Sequence, residues 1–234
     1  MSWTDVIQVV FLVMGGLVTS YLALDTVSGG AGMWAGMQAL MDAAPERFVM
    51  ILERGHPQHN NLPGIGVLVG GMWVANLYYW GFNQYIIQRT LAAKSLKEAQ
   101  RGILFAAGLK LILPLVVVLP GIAAFVMVND PAVMSGLGEG ATQNMPSLSE
   151  ADKAYPWLLQ FLPTGLKGLA FAALTAAIVS SLASMLNSTS TIFTMDIYRQ
   201  HIRPDADDRT TVNVGRLSAA AALALAALMA PLLG

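Results

Sequence analysis

Lys110 places a positive charge inside an apolar stretch that runs from about residue 103 to 128. An ammonium in the middle of a membrane span costs roughly 2.5 to 3.5 kcal/mol on insertion scales, so its position asks for a partner or a function. A second apolar stretch carries the amide of Asn76 within NLYYWGFNQYIIQR, Asn76 to Arg89. Ammonium and amide groups both donate hydrogen bonds, so the two could together hold a polar solute. A third stretch reads FAALTAAIVSSLASMLNSTSTIFTMDIY, Phe171 to Tyr198. Ser180, Ser184, Asn187 and Thr191 recur there at spacings of three and four, which sets them on one helix face with Ser181 and Ser188 beside them. Hydroxyl and carbonyl oxygens are hard ligands that suit an alkali cation, whereas the sequence offers no Cys and no His cluster for a transition metal.

Plainer readings stand beside these. The stem of Lys110 reaches about 6 Å, enough to snorkel toward a membrane surface. Small hydroxylated residues let membrane helices pack closely, and on physics alone packing is the stronger reading of the serine face. Tyr79 and Trp80 resemble an interfacial aromatic belt but lie several turns short of Arg89. Together with Gly81 and the amides of Asn83, Gln84 and Gln88, they predict a break in the helix near Gly81, which a membrane tolerates where backbone lines a cavity.

These groups have to be positioned by membrane helices. Hydrophobic residues make up 55% of the chain and charged ones 12%, and apolar runs of about twenty residues recur between polar gaps. Spans are predicted at approximately 6–24, 65–87, 103–128, 163–186 and 211–233, giving an all-α integral membrane protein with a single transmembrane domain over 1–234. Net charge is −1 and no basic block occurs, which argues against a nucleic-acid partner. The first apolar run has neither the basic flank nor the cleavage site of a signal peptide, so it reads as a retained span.

Orientation follows from the connections. Arg89, Lys94, Lys97 and Arg101 follow the second span and Arg199, Arg203 and Arg209 the fourth, whereas the connection 129–157 carries Asp130, Glu139, Glu150 and Asp152 against Lys153. The positive-inside rule puts the first two groups in the cytoplasm and the connections 29–62 and 129–157 outside. Met33, Trp34, Met37, Leu40 and Met41, then Phe48, Val49, Ile51 and Leu52 after Pro45, predict two short helices in the former, followed by a turn-rich stretch from Gly55 to Pro63. At 1.5 Å per residue, Asn76 lies about 17 Å below the outer end of its span and Lys110 about 10 Å above the inner end of its own, in a core roughly 30 Å thick. The two therefore fall near one level. His56, His59 and His201 fall in connections, and no acid/base pair or nucleophile triad lies within the spans, so no enzymatic activity is expected.

WTDVIQ (Trp3 to Gln8), YWGFNQYIIQR (Tyr79 to Arg89) and SSLASMLNSTSTIFTMDIY (Ser180 to Tyr198) resemble the sodium/solute symporters, most closely the bacterial sodium/galactose members of the sodium/glucose cotransporter branch. The resemblance covers essentially the whole chain, and it reverses the balance on the serine face. It implies a partial five-plus-five inverted-repeat transporter fold, with this chain supplying core helices five to nine. It also implies sodium-coupled symport of a small neutral sugar such as galactose or glucose by alternating access in the cell inner membrane, with Na+ as the coupling ion and no cofactor.

By the same resemblance the sugar contacts match Asn76 and Lys110, and an inner gate that stacks under the sugar matches Tyr79, with Trp80 next to it. The sodium ligands match the Ala177 carbonyl and the hydroxyls of Ser180 and Ser181, and Asp5 matches an acidic residue on the sodium exit path. The family's first, second and tenth core helices have no counterpart here, and the chain stops in LMAPLLG inside a span. It is therefore expected to be a fragment of a longer transporter whose missing helices complete both sites. A sodium symporter of a carboxylate solute, such as an amino acid or vitamin, and a non-transporting membrane subunit are the alternatives.

Overall fold

The computed structural model describes residues 2–56, 59 and 64–233, so residues 57, 58 and 60–63 of the turn-rich stretch lie outside the described residues. The regular elements among the described residues are all helices, with no strand among them. Four of their helices are long and apolar enough to cross a membrane: Thr4–Val27, Leu96–Asn129, Thr164–Ile202 and Asp208–Leu232. The chain divides into two compact units, residues 1–76 with 95–176, and residues 77–94 with 177–234.

In the first unit, α1 (Ser2–Val27) ends in a turn with Gly29, Gly30 and Gly32 at positive φ, and α2 (Met33–Ala43) folds back onto it. The second helix expected in this connection shrinks to a 3₁₀ turn, Pro45–Phe48, because the apolar residues after Phe48 lack helical backbone bonds. Two π-helical segments, Val67–Gly71 and Tyr78–Phe82, flank α3 (Met72–Leu77), and α4 (Gln84–Leu91) follows. The expected span 65–87 is thus not one continuous helix, because the backbone leaves helical geometry at Asn83.

The third span is also interrupted. α5 (Leu96–Lys110) closes at Lys110, a π segment Pro114–Val118 follows, and α6 (Leu119–Asn129) completes it. The cause is in the sequence: Pro114 has no N–H to give the carbonyl of Lys110 four residues earlier. The connection 129–157 holds short helices, α7 (Pro131–Gly136), α8 (Glu139–Thr142), a 3₁₀ turn Leu148–Lys153 and α9 (Ala154–Leu158). One end of this unit carries its core: Ala23 and Leu24 of α1, Leu40 of α2, Val126 and Met127 of α6, and Trp157 and Leu158 of α9. The other half of α1, including Val6, Val9 and Val10, is exposed.

The second unit holds α4, the later part of α10 (Thr164–Ile192) and α11 (Asp208–Leu233). α10 continues through a π-helical extension, Phe193–Ile202, so the fourth helix runs well past the expected end at 186 and takes His201 out of a loop. Helices α10 and α11 are stitched by Ser190, whose hydroxyl donates to the Gly215 carbonyl at 2.6 Å. Gly215 allows this approach, since a Cβ there would stand 3.1 Å from Ser190 Oγ.

Candidate functional site

Asn76 and Lys110 belong to the first unit, at places where helical backbone is about to change register. Asn76 lies in the last turn of α3, two residues before the π segment Tyr78–Phe82, and its amide donates back to the Met72 carbonyl at 2.8 Å. Lys110 is the last residue of α5, one helical turn before Pro114, and its side chain is exposed. The structure therefore aims the Asn76 amide along its own helix, while Lys110 sits on the broken helix that Pro114 creates.

Tyr79 and Trp80 belong to the second unit. They stack edge to face, with ring centroids 5.3 Å apart and planes at 85°. Both lie in the π turn, which closes with the Asn83 N–H donating to the Tyr78 carbonyl at 3.0 Å. Asn83 then adopts extended geometry (φ −78, ψ 110), and its side-chain oxygen accepts from the Tyr85 N–H at 3.2 Å to start α4. An Asn at this position is a preferred helix start, so the break expected near Gly81 falls two residues later, where the capping chemistry is.

Ala177, Ser180 and Ser181 occupy one turn of α10 and are half-buried. Further along the same face, Ser184 and Asn187 bond to side chains of α4. The Arg89 guanidinium donates to Ser184 Oγ at 2.8 Å, Ser184 donates to the Ser180 carbonyl at 3.0 Å, and the Asn187 amide donates to Gln88 Oε1 at 3.4 Å. Sequence reasoning read Arg89 as a marker of orientation and Gln88 as an amide of a cavity lining. Their docking on α10 was not legible, because the partners lie 95 and 99 residues apart in the chain.

Asp5, in the first turn of α1, is half-buried and lines an open cleft of about 410 Å³ with Val6, Val9, Val10, Phe105 and Leu109. Among the described residues no group of three or more His, Cys, Asp or Glu side chains gathers to hold a metal. His59, which falls in a connection as expected, is half-buried there, and its Nδ1 lies 3.0 Å from the Leu52 carbonyl.

Outside the spans, charge is organised in the connection 129–157. The Lys153 ammonium bonds the Glu150 carboxylate, which also accepts from the Ser147 N–H at 3.4 Å and hydroxyl at 3.1 Å. These partners hold the Glu150 carboxyl below the usual glutamate range and raise Lys153. Burial pushes the Tyr155 phenol up, offset in part by the Thr19 hydroxyl beside it.

The profile of the sodium:solute symporter family matches residues 1–232. The sodium/glucose cotransporter of Vibrio parahaemolyticus is 65% identical over 232 residues, which is 99% of this chain and 43% of that protein. Human sodium/myo-inositol cotransporter 2 is 37% identical over 226 residues, covering 92% of this chain and 33% of that one. Among solved structures, a Na+-coupled sialic acid symporter in a substrate-bound outward-open state matches with a TM-score of 0.74 and 26% identity, over 99% of this chain and 46% of its own. The chain thus spans less than half the length of these relatives, all of which are transporters. The match of the profile across nearly every residue, together with the long apolar helices, leads to one conclusion: the chain belongs to the sodium:solute symporter family, whose members cross membranes several times.

Proposed function

We propose that this chain forms the middle portion of a transporter that carries a small neutral sugar, such as galactose or glucose, into the cell with sodium, by alternating access across the inner (plasma) membrane. The observation that carries this reading is the 65% identity to a protein named as a sodium/glucose cotransporter, spread over 99% of the chain. The basic connections around Arg89 to Arg101 and Arg199 to Arg209 support a cytoplasmic side for those loops.

In this reading sodium binds the Ala177 carbonyl and the Ser180 and Ser181 hydroxyls, with further ligands from helices outside the chain. Asn76 and Lys110 donate to sugar hydroxyls, and Tyr79 stacks beneath the ring with Trp80 braced against it. Asp5, at the start of α1, stands on the path by which sodium leaves. Sodium is cargo and coupling ion, and no organic cofactor takes part. Because coupling is a free energy shared by two sites, sodium tightens sugar binding by the same factor as sugar tightens sodium binding.

The test is uptake of labelled galactose by the complete transporter in proteoliposomes. Lys110→Ala is expected to abolish sugar uptake while leaving sodium binding measurable, and Ser181→Ala to weaken the sodium dependence of uptake. Uptake unchanged by Lys110→Ala would reduce that lysine to a snorkelling charge. One observation favours a second reading: a solved structural relative is a sialic acid symporter, and a lysine suits a carboxylate solute. Competition for uptake by sialic acid, with none by glucose, would select that reading.

A further inference from the structure

Arg89 does more in the second unit than mark a cytoplasmic connection. Its guanidinium Nη2 donates to Ser184 Oγ at 2.8 Å, and the Ser184 hydroxyl proton is directed onto the carbonyl of Ser180 at 3.0 Å. A serine hydroxyl has one proton and accepts through its lone pairs, so a cationic donor on the lone pair leaves the proton to the Ser180 carbonyl and strengthens that bond. The same contact is doubled one turn on, where Asn187 donates to Gln88 Oε1 at 3.4 Å. Two side chains of α4 therefore clamp α10 beside the turn that holds Ala177, Ser180 and Ser181.

The other end of α4 gives this clamp a second consequence. α4 starts at Asn83, directly after the π segment that carries Tyr79 and Trp80. The helix that follows the aromatic pair at one end is thus bonded at the other to Ser184 and Asn187, in the part of α10 next to the turn of Ala177, Ser180 and Ser181.

We infer that Arg89 is a positioning residue for the sodium-binding turn of α10, acting through Ser184. The inference rests on the sodium assignment proposed above. Arg89 touches neither cargo in this account; it holds the Ser180 backbone, and through it the hydroxyls of Ser180 and Ser181, in the orientation a cation needs. Partners that orient metal ligands cost about 10- to 100-fold in affinity when lost, and a weakly bound alkali ion places the effect at the low end, about tenfold.

The experiment is a titration of radioactive sodium binding to the purified complete transporter, without sugar, in the parent protein and in Arg89→Ala, Ser184→Ala, the double variant, Ser184→Thr and Ser181→Ala. Arg89→Ala and Ser184→Ala are each expected to weaken sodium binding about tenfold, and the double variant no further than the weaker single. Ser184→Thr, which keeps the hydroxyl, is expected to bind like the parent. Should Arg89→Ala fail to fold, Ser184→Ala removes the same bond at the other end and decides alone. Sodium binding weakened by Ser181→Ala but unmoved by Ser184→Ala overturns the inference and leaves the sodium assignment standing. Binding unmoved by Ser181→Ala overturns the assignment, and the inference with it.

Discussion

Gly36→Ala tests whether the close approach of α1 and α2 organises the packed end of the first unit. A Cβ on Gly36 would fall inside contact distance of the Leu24 carbonyl oxygen, 2.6 Å from its carbon and 2.8 Å from the Leu24 Cβ. Carbon atoms rest about 3.5–4.0 Å apart, so the two helices must separate by about 1 Å. Two of the atoms in the way are backbone and cannot rotate aside. Leu24 and Leu40, 3% and 0% exposed, pack in this interface. If a third of the roughly 50 contacts each leucine makes, at about 0.15 kcal/mol apiece, cross to the other helix, about 5 kcal/mol of dispersion is at stake. An opening of that size forfeits a quarter to a half of it, or about 2 kcal/mol, within the usual range for overpacking. Alanine returns about 1 kcal/mol through helix propensity, leaving a net loss of about 1 kcal/mol.

The same exchange at Gly102, on α5 with nothing near its added Cβ, carries the propensity gain without the clash. The two variants should therefore differ by about 2 kcal/mol and in sign, a separation of about 2 °C in melting temperature for a transporter more than twice the length of this chain. Thermal unfolding of the complete transporter in detergent, followed by tryptophan fluorescence, reads this directly. Equal shifts in the two variants would refute the steric argument.

Ser20→Ala should destabilise by about 1–2 kcal/mol in the same assay, since the buried Ser20 hydroxyl lies 2.5 Å from the Leu115 carbonyl and Pro120 brings that carbonyl no N–H in the π register; no change would mean that the carbonyl finds another donor. Tyr79→Phe should keep sugar uptake within a few-fold and Tyr79→Ala reduce it at least tenfold, because the ring and its edge contact with Trp80 survive only in the first; equal uptake would remove the gate role. Glu150 should titrate below the ordinary glutamate range in a carboxyl NMR titration, and Lys153→Ala should move its midpoint upward. The sign follows: a depressed folded-state value supports the turn Leu148–Lys153 above the ordinary glutamate range, and the support fades as pH falls through the depressed value. An unshifted midpoint in the parent would show that the exposed pair is screened away.

Much of the architecture is written locally. Apolar runs long enough to cross a membrane mark the helices that begin near residues 4, 96, 164 and 208, because transfer from water to hydrocarbon depends on composition along one segment. Interruptions can be read the same way: Pro114 withholds its N–H from Lys110, and Asn83 offers a capping oxygen after Gly81. The motifs around Tyr79 and Ser180 carry the family resemblance, since the identity of those residues is itself the signal.

What the sequence could not tell is which polar groups meet. The serine face of α10 was compatible with helix packing and with a cation site, and spacing alone could not choose its neighbour. Tertiary structure put Arg89 on Ser184 and Gln88 on Asn187, and it directed Ser20 to the Leu115 carbonyl, pairings that span 95 to 99 residues. It also extended the fourth helix to Ile202 and broke the second at Asn83 rather than Gly81. Hydropathy and helix propensity act within a few residues of one another, so the sequence by itself determined the segments and their ends. Hydrogen bonds between distant residues form only once helices have packed, so the fold alone decided which side chains hold those segments together.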